Sequence, residues 1–84
     1  MGGIEKMKQH IITFMTAPGH NEAAAISEMM STIVNYDGHI DVVTPSKTYT
    51  EDGWRNAFVV VYSTADDDQI RYRTSKLNSC KILC

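Results

Sequence analysis

Two stretches of this chain are apolar on both alternating faces, and that feature limits the fold more than any other. In Gln9-His10-Ile11-Ile12-Thr13-Phe14-Met15-Thr16, Ile11 and Met15 fall on one side and Ile12 and Phe14 on the other. In the run from Trp54 to Thr64, Phe58, Val60 and Tyr62 alternate with Val59 and Val61. Such segments suit central strands with neighbours on both edges and cover on at least one face. Between them, His39-Ile40-Asp41-Val42-Val43-Thr44 reads as a third strand that continues irregularly to about Thr50. Pro45 lacks an N–H and belongs on an edge, so this strand is the outer one of a hairpin with 54–64. Asp52-Gly53 supplies the turn, in the form a two-residue loop prefers when both positions need positive φ.

Helices fill the intervals. Ala17-Pro18-Gly19 ends the first strand, Asn21 can cap a helix, and Ala23, Ile26, Met30 and Ile33 recur at helical spacing, which predicts that helix from about 20 to 36. Glu22 suits its start, and Asp37-Gly38 its stop. Thr64 and Asp67 have the form of a capping box, with Asp66 to Asp68 in the first turn and Arg71, Arg73 and Lys76 later, which predicts a second helix from about 65 to 77. Its apolar stripe is thin: Ile70, Thr74 and Leu77. Lys81-Ile82-Leu83-Cys84 is long enough for a short last strand, or is a frayed tail.

The order is β-α-β-β-α with an optional final β. With right-handed crossovers this is α+β, the split βαβ or ferredoxin-like sandwich, with two helices on one face of an antiparallel sheet in the order 4-1-3-2. The apolar pattern places the first and third strands centrally and Pro45 places the second at an edge, so two levels agree. The 84 residues form a single domain, with 1–6 expected to be a disordered leader. A chain this short buries roughly 60–65% of its unfolded surface, enough for one core and no deep cleft.

Charge and chemistry exclude several functions. A net charge of −2 gives no electrostatic footprint for nucleic acid. No apolar run approaches the roughly 20 residues of a membrane span. The first residues lack the apolar core of a signal peptide, so a cytoplasmic location is expected. Lys6 and Lys81 stand where myristoylation and prenylation require other residues. Cys80 and Cys84 would sit roughly 13 Å apart within a strand, too far for a disulfide, and read as reduced thiols. His10, His20 and His39 share no metal-binding spacing, and His20 and His39 flank a helix about 28 Å long. The three consecutive acids at 66–68 point in different directions on a helix and answer its dipole rather than magnesium. No serine elbow or sequence-adjacent Cys–His pair marks a nucleophile, so no catalytic residue, metal or cofactor is assigned. The strand order is also that of the RNA recognition motif, yet only Ala57-Phe58-Val59 matches its third strand, and Asn56 and Val61 occupy the stacking positions.

Two candidate sites remain. Tyr49, Trp54, Phe58 and Tyr62 are candidate partner-binding residues, because helices can cover only one face of the sheet and the other is left apolar. A second copy, another protein or a ligand is expected to cover it, in the manner of a regulatory module or of the small inhibitors that phages encode. The second candidate rests on a resemblance. The Thr16-Ala17-Pro18-Gly19 break, the small-residue helix and the Gly38-His39-Ile40-Asp41 re-entry resemble the ACT-type regulatory domain, and Thr-Ala-Pro also resembles the start of the CutA-like, PII-related trimers. The resemblance covers roughly His10 to Asp68. It implies a ferredoxin-like fold, association through sheets, and effector binding at Pro18, Gly19, His20 and Asn21.

Overall fold

The computed structural model describes residues 7–83. The expected leader at 1–6 and the thiol of Cys84 lie outside them. The elements are β1 (Lys8–Thr16), α1 (Glu22–Asn35), β2 (His39–Thr50), β3 (Gly53–Thr64), α2 (Asp67–Thr74) and β4 (Cys80–Ile82). They form an α+β chain with one four-stranded sheet in the order β2-β3-β1-β4, every neighbouring pair antiparallel. The two strands that are apolar on both faces are the central ones, and the strand with Pro45 is an edge. The C-terminal segment does pair: Phe14 stands opposite Ile82 and Thr16 opposite Cys80.

Both helices share one core with one side of the sheet. Ile12, Phe14, Val60 and Tyr62 from the strands meet Ala25, Met29 and Ile33 of α1 and Ile70 of α2. The buried line of α1 is therefore Ala25, Met29 and Ile33; Ile26 and Met30 are half-buried and Ala23 is exposed, against the expected stripe. The helix also reaches β4, where the Cys80 thiol donates to the Ala25 carbonyl at 3.2 Å. Asn21 caps α1 as expected, its side chain accepting from the Ala24 N–H at 3.0 Å.

At the other end of α1 the roles of Asp37 and Gly38 are the reverse of the usual ones. Asp37 takes the left-handed conformation (φ 66), while the Gly38 N–H closes on the Ile33 carbonyl at 2.8 Å, a Schellman arrangement. Gly38 is needed for space, since a Cβ there would lie 2.5 Å from Ile33 Cγ2 and 2.7 Å from the Ile33 carbonyl oxygen.

The capping box of α2 does not form. Asp66 is the N-cap without a side-chain bond, and Thr64 Oγ1 accepts from the Asp66 N–H and donates to the Asp37 carbonyl. The Asp67 carboxylate is taken up by Tyr62 and Arg71 instead. The helix is shorter than 65–77: past Thr74 the chain tightens into i→i−3 bonds, Lys76 N–H to the Arg73 carbonyl and Leu77 N–H to the Thr74 carbonyl, and Leu77 packs on the core from beyond the helix end.

β3 pairs with β1 only as far as Phe14–Phe58. Beyond that point Ser46–Thr50 and Gly53–Ala57 pair only with each other, as a two-stranded arm. Its turn differs from the expected two-residue type: Gly53 has φ 102 and Asp52 keeps negative φ, as in a tight turn closed by a glycine bulge. A register shift between Ile40 and Val42 makes Asp41 an extra residue near the start of β2.

Candidate interaction surface

Alternation along the strands sorts the side chains into a helix-covered face and an open one. Phe58, Val60 and Tyr62 turn toward the helices, which separates the four expected partner-binding residues. Tyr62 is fully buried and cannot act as a surface anchor. Phe58 is half-buried at the core margin, its ring 5.6 Å from that of Phe14. Only Tyr49 and Trp54 are exposed, at 70% and 69%, and they pair edge-to-face at 5.3 Å across the arm. They share the strand face of Tyr62 but stand on the arm, where β3 has already left β1.

The open face is built from other residues. In register across three strands, Ile11, Val61 and Val42 form one row, and Thr13, Val59 and Thr44 the next. Ile11 is 54% and Val42 48% exposed. Leu83 joins beside Thr13, whose carbonyl accepts its N–H at 2.7 Å. Which residues share a side of each strand is readable from sequence, but β1–β3 register is needed to set Ile11 beside Val61.

One end of this face is acidic. Asp41, displaced by the bulge, accepts from Ser63 Oγ at 2.6 Å and from Gln9 Nε2 at 3.1 Å, with His39 Nε2 at 3.6 Å. Those hydrogen bonds, Ser63 first, and the nearby His39 hold its carboxyl below the usual range. The opposite end opens into a groove of about 640 Å³, where the arm meets the ends of β1 and β4; Met15, Pro18, Tyr49, Arg55, Lys81 and Leu83 are among its walls.

The expected effector residues form an exposed turn. The His20 N–H reaches the Ala17 carbonyl at 3.2 Å, and Gly19 has φ 82, which suits a Pro-Gly turn. Pro18 borders the groove, while Asn21 is occupied in capping α1.

A polar cluster that sequence reasoning missed lies on the helix side. Tyr62 donates its hydroxyl to Asp67 in a short hydrogen bond, Arg71 Nε donates to Asp67 at 2.9 Å, and His10 Nδ1 stands 3.4 Å away. Arg71 also donates to the Ile11 carbonyl at 2.8 Å. Burial of Asp67 opposes its charge, but the hydrogen bonds from Tyr62 and Arg71 and the Arg71 charge outweigh it and lower its pKa. Burial first, then the bond to Asp67, push the Tyr62 hydroxyl well above an ordinary phenol. The only signal in sequence was the Asp67–Arg71 spacing on one helix face.

Burial pushes the Cys80 thiol up, away from the thiolate form. Among the described residues no group of three or more His, Cys, Asp and Glu could hold a metal ion, and no helix is long and apolar enough to cross a membrane. No family model matches this sequence, and no curated protein or solved structure is significantly similar to it.

Proposed function

We propose that this chain is a non-catalytic protein-interaction module of ferredoxin-like architecture, which binds a folded protein surface through the sheet face opposite its helices. The row Ile11–Val61–Val42 carries the reading. Three adjacent β-branched side chains lie side by side across the sheet, the outer two about half exposed. Contiguous apolar rows of this kind mark contact surfaces. Tyr49 and Trp54 on the arm offer a second, aromatic contact. An RNA-binding role has less support, because no Phe, Tyr or Trp stands at the paired positions of the open face to stack on a base.

The test is a photo-crosslinking residue placed at Val42 on the open face or at Glu28, exposed on α1, in extracts of the cells that make the protein. The expected result is a discrete adduct from position 42 alone. No adduct from position 42, or equal labelling from both, overturns the reading.

The groove favours a second reading, effector binding, because Pro18 of the turn and Tyr49 of the arm border one cavity. A small-molecule library that raises the melting temperature of the wild type, with the response lost on Pro18→Ala, supports it. A library with no shift removes it.

A further inference from the structure

β1 is a central strand with one unfinished edge. β3 covers one side of it from Lys8 to Phe14, whereas β4 covers the other only from Phe14 to Thr16. Along residues 8–12 the edge away from β3 therefore carries no strand among the described residues. The stretch is regular, in unbroken register with β3 and free of proline. The other open edges are poorer templates for a further strand. That of β2 is broken by the extra residue Asp41 and by Pro45, which has no N–H. β4 has only three residues, and the arm is a two-stranded ribbon, which twists more strongly than a wider sheet.

The ladder fixes which backbone groups face this edge. Leu83 N–H donates to the Thr13 carbonyl at 2.7 Å and Arg71 Nη2 to the Ile11 carbonyl at 2.8 Å, so the odd-numbered residues of β1 turn their N–H and C=O away from β3. Gln9 and Ile11 thus present two donors and two acceptors at the two-residue repeat of a strand. Of these four groups only the Ile11 carbonyl is bonded among the described residues, and its guanidinium donor sits at the distance a strand N–H would keep. Such an array is complementary to another extended backbone. We propose that residues 8–12 take up an extended segment of another protein, about five residues long, which adds to the sheet in line with β4. Its N–H replaces Arg71 Nη2 on the Ile11 carbonyl, while Arg71 Nε keeps its bond to Asp67 at 2.9 Å. One side chain of the segment falls beside the exposed Ile11 and lengthens the row Ile11–Val61–Val42, so an apolar residue is expected there. This edge contact goes beyond the open-face contact and does not depend on it.

An mRNA-displayed library of random ten-residue peptides, selected against the full chain, is the probe. The expected result is peptides with an apolar residue among alternating polar ones, whose binding is weakened about tenfold by Gln9→Pro and is unchanged by Gln9→Ala. Both variants lose the Gln9 side chain, but only the proline loses the outward N–H, and it leaves the ladder with β3 intact. In the wild type saturated with a selected peptide, the Gln9 and Ile11 amides are expected to exchange with deuterium more slowly than in the free chain, a readout that stands even if Gln9→Pro does not fold. A library that yields no binder, peptides that bind Gln9→Pro and Gln9→Ala equally, or unchanged exchange at both amides overturns the proposal. A wild-type dimer that Gln9→Pro dissolves assigns the edge to a second copy and overturns it as well.

Discussion

The Tyr62 hydroxyl is shut away from water by the helices, so its stability rests on Asp67. Tyr62→Phe removes that hydrogen bond to a charged group and is expected to cost about 1–3 kcal/mol in urea denaturation at neutral pH. The pair also makes stability depend on pH. The Asp67 pKa is lowered from 3.8, so its contribution is present above about pH 4 and is lost as pH falls through the folded value. The Tyr62 pKa is raised from 10.0, so the unfolded chain ionises first and stability declines as pH rises above 10. Asp67→Asn should flatten part of the acid limb of the stability profile, which Asp41 shares, and Tyr62→Phe part of the alkaline limb, which the buried Cys80 thiol shares. A wild-type profile flat from pH 2 to 11 would contradict both assignments. Gly38 gives a steric counterpart: Gly38→Ala drives a Cβ into Ile33 and is expected to cost about 1–3 kcal/mol, read as a lower urea midpoint.

At the scale of elements, the β2–β3 hairpin has two regimes. From Phe58 to Ser63, β3 is paired on both edges, and from Gly53 to Ala57 on one only. Amide hydrogens of the arm are therefore expected to exchange faster than those of Val59 to Tyr62, and equal protection along β3 would contradict a projecting arm. Trp54→Ala should cost no more than about 1 kcal/mol, whereas Tyr62→Ala should cost about 3–5 kcal/mol. The strand order was legible because Pro45, the turn at Gly53 and the apolar runs each constrained it separately. The facing of β3 was not. A strand apolar on both sides satisfies its period whichever side meets the helices, and only the packing of Met29, Ile33 and Ile70 against Val60 and Tyr62 decides it. The same limit hid the contact surface. Ile11 and Val42 acquire meaning only when register lays them on either side of Val61, and the capping-box spacing of Thr64 and Asp67 does not show that Tyr62 bonds to Asp67.

For the whole molecule, the helices use one face of the sheet and leave the other with the apolar row Ile11–Val61–Val42 at its centre, Asp41 at one end and, at the other, a groove that mixes Arg55 and Lys81 with Glu51 and Asp52. That row gives a chain with a single core a surface to bind with. The most direct measurement is photo-crosslinking from position 42 in the wild type and in Val61→Glu, with circular dichroism to confirm that both are folded. A discrete adduct from the wild type that is lost in Val61→Glu is the predicted result. The same adduct from both folded proteins would contradict a protein contact through the open face.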